Sequence, residues 1–198
     1  AVIVRVDEFG VPTMFGDAGF VELIGAGLTR TVGNGVLRVG AGYVTAGQGL
    51  SIQWNAWATA FDDTGSVISS FGENGDFETG GMGDEFVTLS EDDGERFYVY
   101  GSSYTASGFD CFVVRVLANG RIDPTFADGQ FVRIDAGGNR DACNGVITLA
   151  DGGILGVGVR GSDALGRPAL YRLASDGIAD ASFGIDGVLV EDAWPGSY

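Results

Sequence analysis

The sequence predicts an all-β fold: a β-propeller built from four-stranded antiparallel blades, with about three and a half repeats of ~55 residues in the chain. Three observations carry this expectation. A turn glycine recurs at Gly10, Gly65, Gly120 and Gly177, at intervals of 55, 55 and 57 residues. Each interval holds four short β-rich runs separated by Asn, Asp and Gly, and apolar residues nowhere keep the three-and-four spacing of a helix for more than a couple of turns. Glycine supplies 35 of the 198 residues, which suits tight turns with positive φ and innermost strands crowding towards an axis.

In chain order, the run before the turn glycine is Val2-Ile-Val-Arg-Val6, Phe112-Val-Val-Arg-Val116 or Ala169-Leu-Tyr-Arg-Leu173. It carries Arg5, Arg115 or Arg172 five residues ahead of the glycine, and the second copy has Ala60 there. A phenylalanine follows the glycine at Phe15, Phe71, Phe126 and Phe183, usually as Phe-Gly, then a second turn glycine at Gly19, Gly75, Gly129 and Gly187. The next strand reads Phe20-Val-Glu-Leu23, Asp76-Phe-Glu-Thr79, Phe131-Val-Arg-Ile134 or Val188-Leu-Val190. Upstream of each later copy lie two further runs, such as Val36–Val39 and Tyr43–Ala46, joined by hairpin signals at Gly40-Ala-Gly42, Glu91-Asp-Asp-Gly94 and Asp151-Gly-Gly153. The expected organisation is one repeat domain: 1–23 a half blade, 24–80, 81–136 and 137–192 full blades, and 193–198 a tail. A β-solenoid is the structural rival, but its repeat is usually shorter and its rungs pair in parallel.

The succession of a β-run with Arg, Asn/Asp-Gly, an Asp a few residues on, Phe-Gly, an acidic residue and Gly resembles the delta-60 repeat, a bacterial β-propeller repeat family of unknown function. Copies three and four carry it best, as Arg115-Val-Leu-Ala-Asn-Gly-Arg-Ile-Asp-Pro-Thr-Phe126 and Arg172-Leu-Ala-Ser-Asp-Gly-Ile-Ala-Asp-Ala-Ser-Phe-Gly184. Copy one departs at Pro12-Thr13 and copy two at Ile68-Ser69. The resemblance implies a surface or secreted bacterial setting and supplies no catalytic residue.

Three and a half blades do not close a ring, since propellers have four to eight. An open fan leaves sheet edges and apolar faces bare. Two arrangements answer this: a homo-oligomer in which two chains make one ring of about seven or eight blades, or a segment of a longer propeller.

Composition narrows the partners. All 11 basic residues are arginine and 27 acids bring the net charge to −16. No nucleic acid is expected, because phosphates need Lys and Arg to replace their counterions. No membrane insertion is expected either, since no apolar run approaches about 18 residues. With no His and no Lys, the imidazole bases, Ser-His-Asp triads and Schiff bases of many enzymes are excluded.

The repeated Arg residues are read as structural, each pinning a hairpin through Asp17, Asp128 or Asp186. Acids cluster at Asp84, Glu85, Glu91, Asp92, Asp93 and Glu95, in a turn with the oxygen donors Ca²⁺ prefers. Asp84, Glu91, Asp92 and Asp93 are the calcium candidates, against a solvated hairpin tip as the plainer account; no other cofactor is expected. Cys111 and Cys143 are too widely spaced for a zinc site; they are either two buried thiols or one disulfide. Trp54 and Trp57, three apart, face opposite sides of a strand, so at least one belongs to the core. The functional expectation is a non-enzymatic, exported binding or assembly module, extracellular or on the cell surface, with a carbohydrate or protein ligand. The alternative is a glycoside hydrolase using paired carboxylates.

Overall fold

The computed structural model describes residues 1–9, 13–17, 20–23, 28–50, 54–79, 85–91, 93–105, 108–161 and 166–191. Gly10, Gly19, Asp84, Asp92 and the tail 193–198, all singled out in the sequence, lie outside them. Its strands are β1 (Val2–Val4), β2 (Phe20–Glu22), β3 (Arg30–Val39), β4 (Gly42–Leu50), β5 (Trp54–Phe61), β6 (Asp76–Glu78), β7 (Glu85–Glu91), β8 (Arg96–Thr105), β9 (Gly108–Leu117), β10 (Val132–Ile134), β11 (Ala142–Thr148), β12 (Ile154–Arg160), β13 (Arg167–Leu173) and β14 (Val188–Val190). They form four sheets in strict chain order: β1-β2, β3-β4-β5-β6, β7-β8-β9-β10 and β11-β12-β13-β14. Every strand pairing is antiparallel, as tight turns between neighbours require.

The first strand of each four-stranded sheet is longer than its apolar run. β3 begins at Arg30, not Val36, and β11 at Ala142, not Val146. The extension runs through a register shift, at Gly33/Gly35, Glu85/Thr88 and Cys143/Gly145. A bulge lets a polar or glycine-rich stretch stay paired where an apolar-run reading stops. One consequence is that Cys143 lies inside β11; Cys111 lies inside β9.

Alternation decides what lies between the sheets. On β8 and β9, Phe97, Val99, Phe112, Val114 and Val116 pack with Val44, Ala46, Ala56, Ala58 and Phe71 of the second sheet. The intervening Tyr98, Tyr100, Cys111 and Val113 pack with Cys143, Val146, Ala169 and Tyr171 of the fourth. Phe15, Val21 and Leu23 of the first sheet meet Trp57 and Phe61 on the other face of the second. The core is thus three layers of side chains between four successive sheets. Trp57 is fully buried and its indole N–H donates to Asp76 Oδ1 at 3.2 Å, whereas Trp54 is half-buried beneath the Arg30 guanidinium. No helix of the described residues is long and apolar enough to cross a membrane.

Candidate functional site

The repeated motif builds the contact between one sheet and the next. Within each copy the chain turns the same way: Thr13, Ile68, Asp123 and Asp180 donate their N–H to the carbonyls of Arg5, Ala60, Arg115 and Arg172, at 2.9–3.0 Å. The residue after the phenylalanine then reaches forward. Gly16 donates to Thr64 O at 2.7 Å, Gly72 to Asn119 O at 2.7 Å and Ala127 to Asp176 O at 2.6 Å. Each acceptor immediately precedes the turn glycine of the following copy. Those glycines, Gly65, Gly120 and Gly177, have φ of +88°, +79° and +84°, and a Cβ on any of them would come within 3.0 Å of the donating nitrogen. Glycine is therefore needed for both conformation and close approach.

The arginines take part in the same joint. Arg5 Nη1 donates to Asp63 O at 3.0 Å, and Arg115 Nη1 to Ser175 O at 3.0 Å, each two residues before the next turn glycine. The hairpin acids Asp17, Asp128 and Asp186, expected as partners, are not among the arginines' ion pairs in the described residues; the acid three residues after the turn glycine takes that place. Arg115 Nε meets Asp123 Oδ2 at 2.8 Å with both side chains 4% exposed, and Arg172 Nε meets Asp180 Oδ2 at 2.9 Å. The reason is the turn itself, whose Asp123 and Asp180 amides bond the arginine carbonyls and so bring each carboxylate under its guanidinium. Arg115 also lies 4.8 Å over the Phe126 ring and donates Nη2 to Thr125 Oγ1 at 2.9 Å. Burial alone would raise the Asp123 carboxyl, but hydrogen bonds from Thr125 and the Arg115 charge outweigh it and hold it below the usual carboxylate range. In copy two both members are apolar, Ala60 and Ile68, so the pair is lost as a unit.

Phe15, Phe71 and Phe126, each backed by a following sheet, are 1–3% exposed; Phe183, in the last sheet, is half-buried. Arg172 turns instead to its own sheet, with Nη2 on Asp151 Oδ2 at 2.9 Å.

Of the calcium candidates, Glu91 is described in its backbone alone, as the end of β7. Asp93 pairs with Arg96 at 2.7 Å and accepts from Glu95 N–H at 3.1 Å; the Arg96 hydrogen bond holds its carboxyl below the usual range. That carboxylate caps its own hairpin.

A different acidic cluster lies between the third and fourth sheets. Cys111 and Cys143 are joined in a disulfide, Cα–Cα 5.1 Å, linking β9 to β11. Beside it, carboxylate oxygens of Asp110, Asp135 and Asp141 lie within 4.8 Å of one another. Asp110 precedes Cys111 in β9, and Asp135 follows Ile134, the register partner of Cys111, so the two acids sit side by side across adjacent strands. Asp141, fully buried, is fixed by its N–H on Phe109 O at 2.6 Å and by accepting from Ala136 N at 2.7 Å and Gly161 N at 3.1 Å. Burial raises its carboxyl against those hydrogen bonds, and the Asp135 charge adds to the rise. Asp110 is 6% exposed and its Oδ1 has no hydrogen-bond partner. No family model, curated protein or solved structure matches this chain.

The sequence signal for this cluster is a single charge inside an apolar strand, Phe109-Asp-Cys-Phe-Val113. The partners, 25 and 31 positions further on, are indistinguishable from the other acids until the fold brings them together. The exposed aromatics do not form one platform: Tyr98 and Tyr100 are buried, while Tyr104 stands out against the edge of Phe109.

Proposed function

We propose that the chain is a β-propeller segment of the delta-60 type whose function is homotypic assembly, its last sheet docking on the first sheet of a second copy. One observation carries this reading. The joint used three times between successive sheets recurs as unfilled halves at the two ends. At the last sheet, Phe183 is half-buried, and among the described residues no turn follows to accept from Gly184 N–H. At the first sheet, the matching acceptors are the carbonyls of Glu8 and Phe9, two and one places before Gly10. Exposed apolar residues gather at the same ends: Val2, Val4, Val6, Phe9 and Met14 on the first sheet, Ile147, Val157, Ile178, Ile185 and Leu189 on the last. Patches of this kind on a strongly acidic chain mark contact surfaces.

Two copies joined head to tail at both ends would give a two-fold ring of eight sheets, in which neither end face is bare. The role is binding and assembly, not catalysis, and the disulfide suits an exported protein, since such bonds persist in oxidising compartments. Sedimentation equilibrium tests it. The expected species has twice the mass of the 20.5 kDa chain, and Ile185→Asp converts it to monomer. A native chain that stays monomeric at tens of micromolar sinks the reading.

A further inference from the structure

We infer that Asp110, Asp135 and Asp141 form a binding site for a divalent cation of the calcium class. The arrangement is otherwise costly. Like charges directly across adjacent strands repel, and burial of carboxylates without compensation is expensive. Asp141 is compensated by backbone N–H groups, yet Asp110, more than nine-tenths buried, contributes an oxygen to the same cluster and leaves its Oδ1 without any hydrogen-bond partner. A second orphan oxygen accompanies it. Ser103 is the register partner of Asp110 in β8, is fully buried, and its hydroxyl also has no partner. Register partners share a face of the sheet, so the hydroxyl stands beside the carboxylate.

The chemistry of this set is hard and all-oxygen, which suits Ca²⁺ and Mg²⁺ and not zinc or copper. The oxygens lie within 4.8 Å of one another, close enough for one ion to touch all three, and an irregular set of this kind suits the flexible shell of calcium better than the near-ideal octahedron that magnesium demands. Access is provided on one side: exposed Asp135 lines a surface cleft of about 420 Å³ together with Gly137 and Arg160. The disulfide and the Asp141 loop hold the ligand-bearing strands in register, so the site is preformed. Three carboxylates with water completing the shell correspond to a Kd of about 10⁻⁴–10⁻³ M, the range of extracellular modules.

The test is a thermal melt of the native, oxidised chain after chelation, with and without about 10 mM CaCl₂, alongside calorimetric titration with CaCl₂ alone and with MgCl₂ alone. Calcium is expected to raise the melting temperature by about 3–10 °C, and magnesium by much less. Asp110→Asn, which keeps shape and removes the charge, should abolish the rise, and the exposed Asp135→Asn should weaken calcium binding on the order of tenfold. Asp93→Asn should leave the calcium response unchanged. If Asp110→Asn fails to fold, the Asp135→Asn titration decides alone. The inference is overturned if calcium neither binds nor shifts the melt, as when the close carboxylates simply share a proton. It is overturned equally if the response survives loss of Asp110, if Asp135→Asn leaves the calcium affinity unchanged, or if the response disappears with Asp93→Asn.

Discussion

Arg115→Ala is the sharpest perturbation of the inter-sheet joint. The guanidinium and the Asp123 carboxylate are each 4% exposed, so removing one leaves the other charged, buried and partly unpaired. Breaking a buried pair in this way costs about 3–5 kcal/mol. The same substitution at Arg172, whose side chain is 34% exposed and whose partners are more open to water, should cost about 1 kcal/mol or less. The chain also contains its own repair, because copy two has Ala60 and Ile68 at the two positions. Arg115→Ala combined with Asp123→Ile should recover much of the loss, since apolar replacement of a buried pair is often neutral. About 1–3 kcal/mol should stay lost, from the Ser175 carbonyl and the Phe126 ring that Arg115 also serves. Urea unfolding of the four proteins at matched slope measures all three quantities. The reasoning is refuted if Arg115→Ala costs under 1 kcal/mol, or if the double variant is less stable than the single one.

Other outcomes follow from the same geometry. Reducing Cys111–Cys143, which closes a 32-residue separation, should lower stability by about 3–4 kcal/mol on the loop-entropy estimate, read by unfolding with and without reductant. The Asp123 carboxyl is held below its ordinary value in the fold, so its contribution is complete above about pH 4 and is lost as pH falls through the folded value. Melting temperature between pH 6 and 2 should therefore drop, and Asp123→Asn should flatten the lower part of that drop. Association of two chains of charge −16 should tighten as salt screens their repulsion, visible as a smaller dissociation constant at 0.5 M than at 0.05 M NaCl. Gly120→Ala should destabilise by at least about 1–3 kcal/mol, as strain at positive φ adds to the clash with the Gly72 nitrogen.

Much of the sheet architecture is legible in the sequence, because strand alternation and turn glycines are local signals. The runs at 112–116 and 169–173 lie inside β9 and β13, and the turns expected after them follow those strands. Legibility fails where polar residues extend a strand through a bulge, as at Gly33-Asn34-Gly35, and where a partner is chosen by turn geometry. Arg115 has several acids within reach in sequence, and only the Asp123 amide bond to its carbonyl selects one. The acidic cluster beside the disulfide was the least visible. Asp110 reads as a misfit in its strand, while Asp135 and Asp141 gain significance only from register and loop closure.

The central claim, that the ends of the chain complete each other's joint, is tested most directly by NMR-detected exchange of the Gly184 amide. Within the chain the equivalent amides of Gly16, Gly72 and Ala127 are bonded to the next turn and should exchange slowly. The account predicts that the Gly184 amide becomes comparably protected as protein concentration rises, and loses that protection in Ile185→Asp. A Gly184 amide that exchanges freely at concentrations where two chains are associated would contradict it.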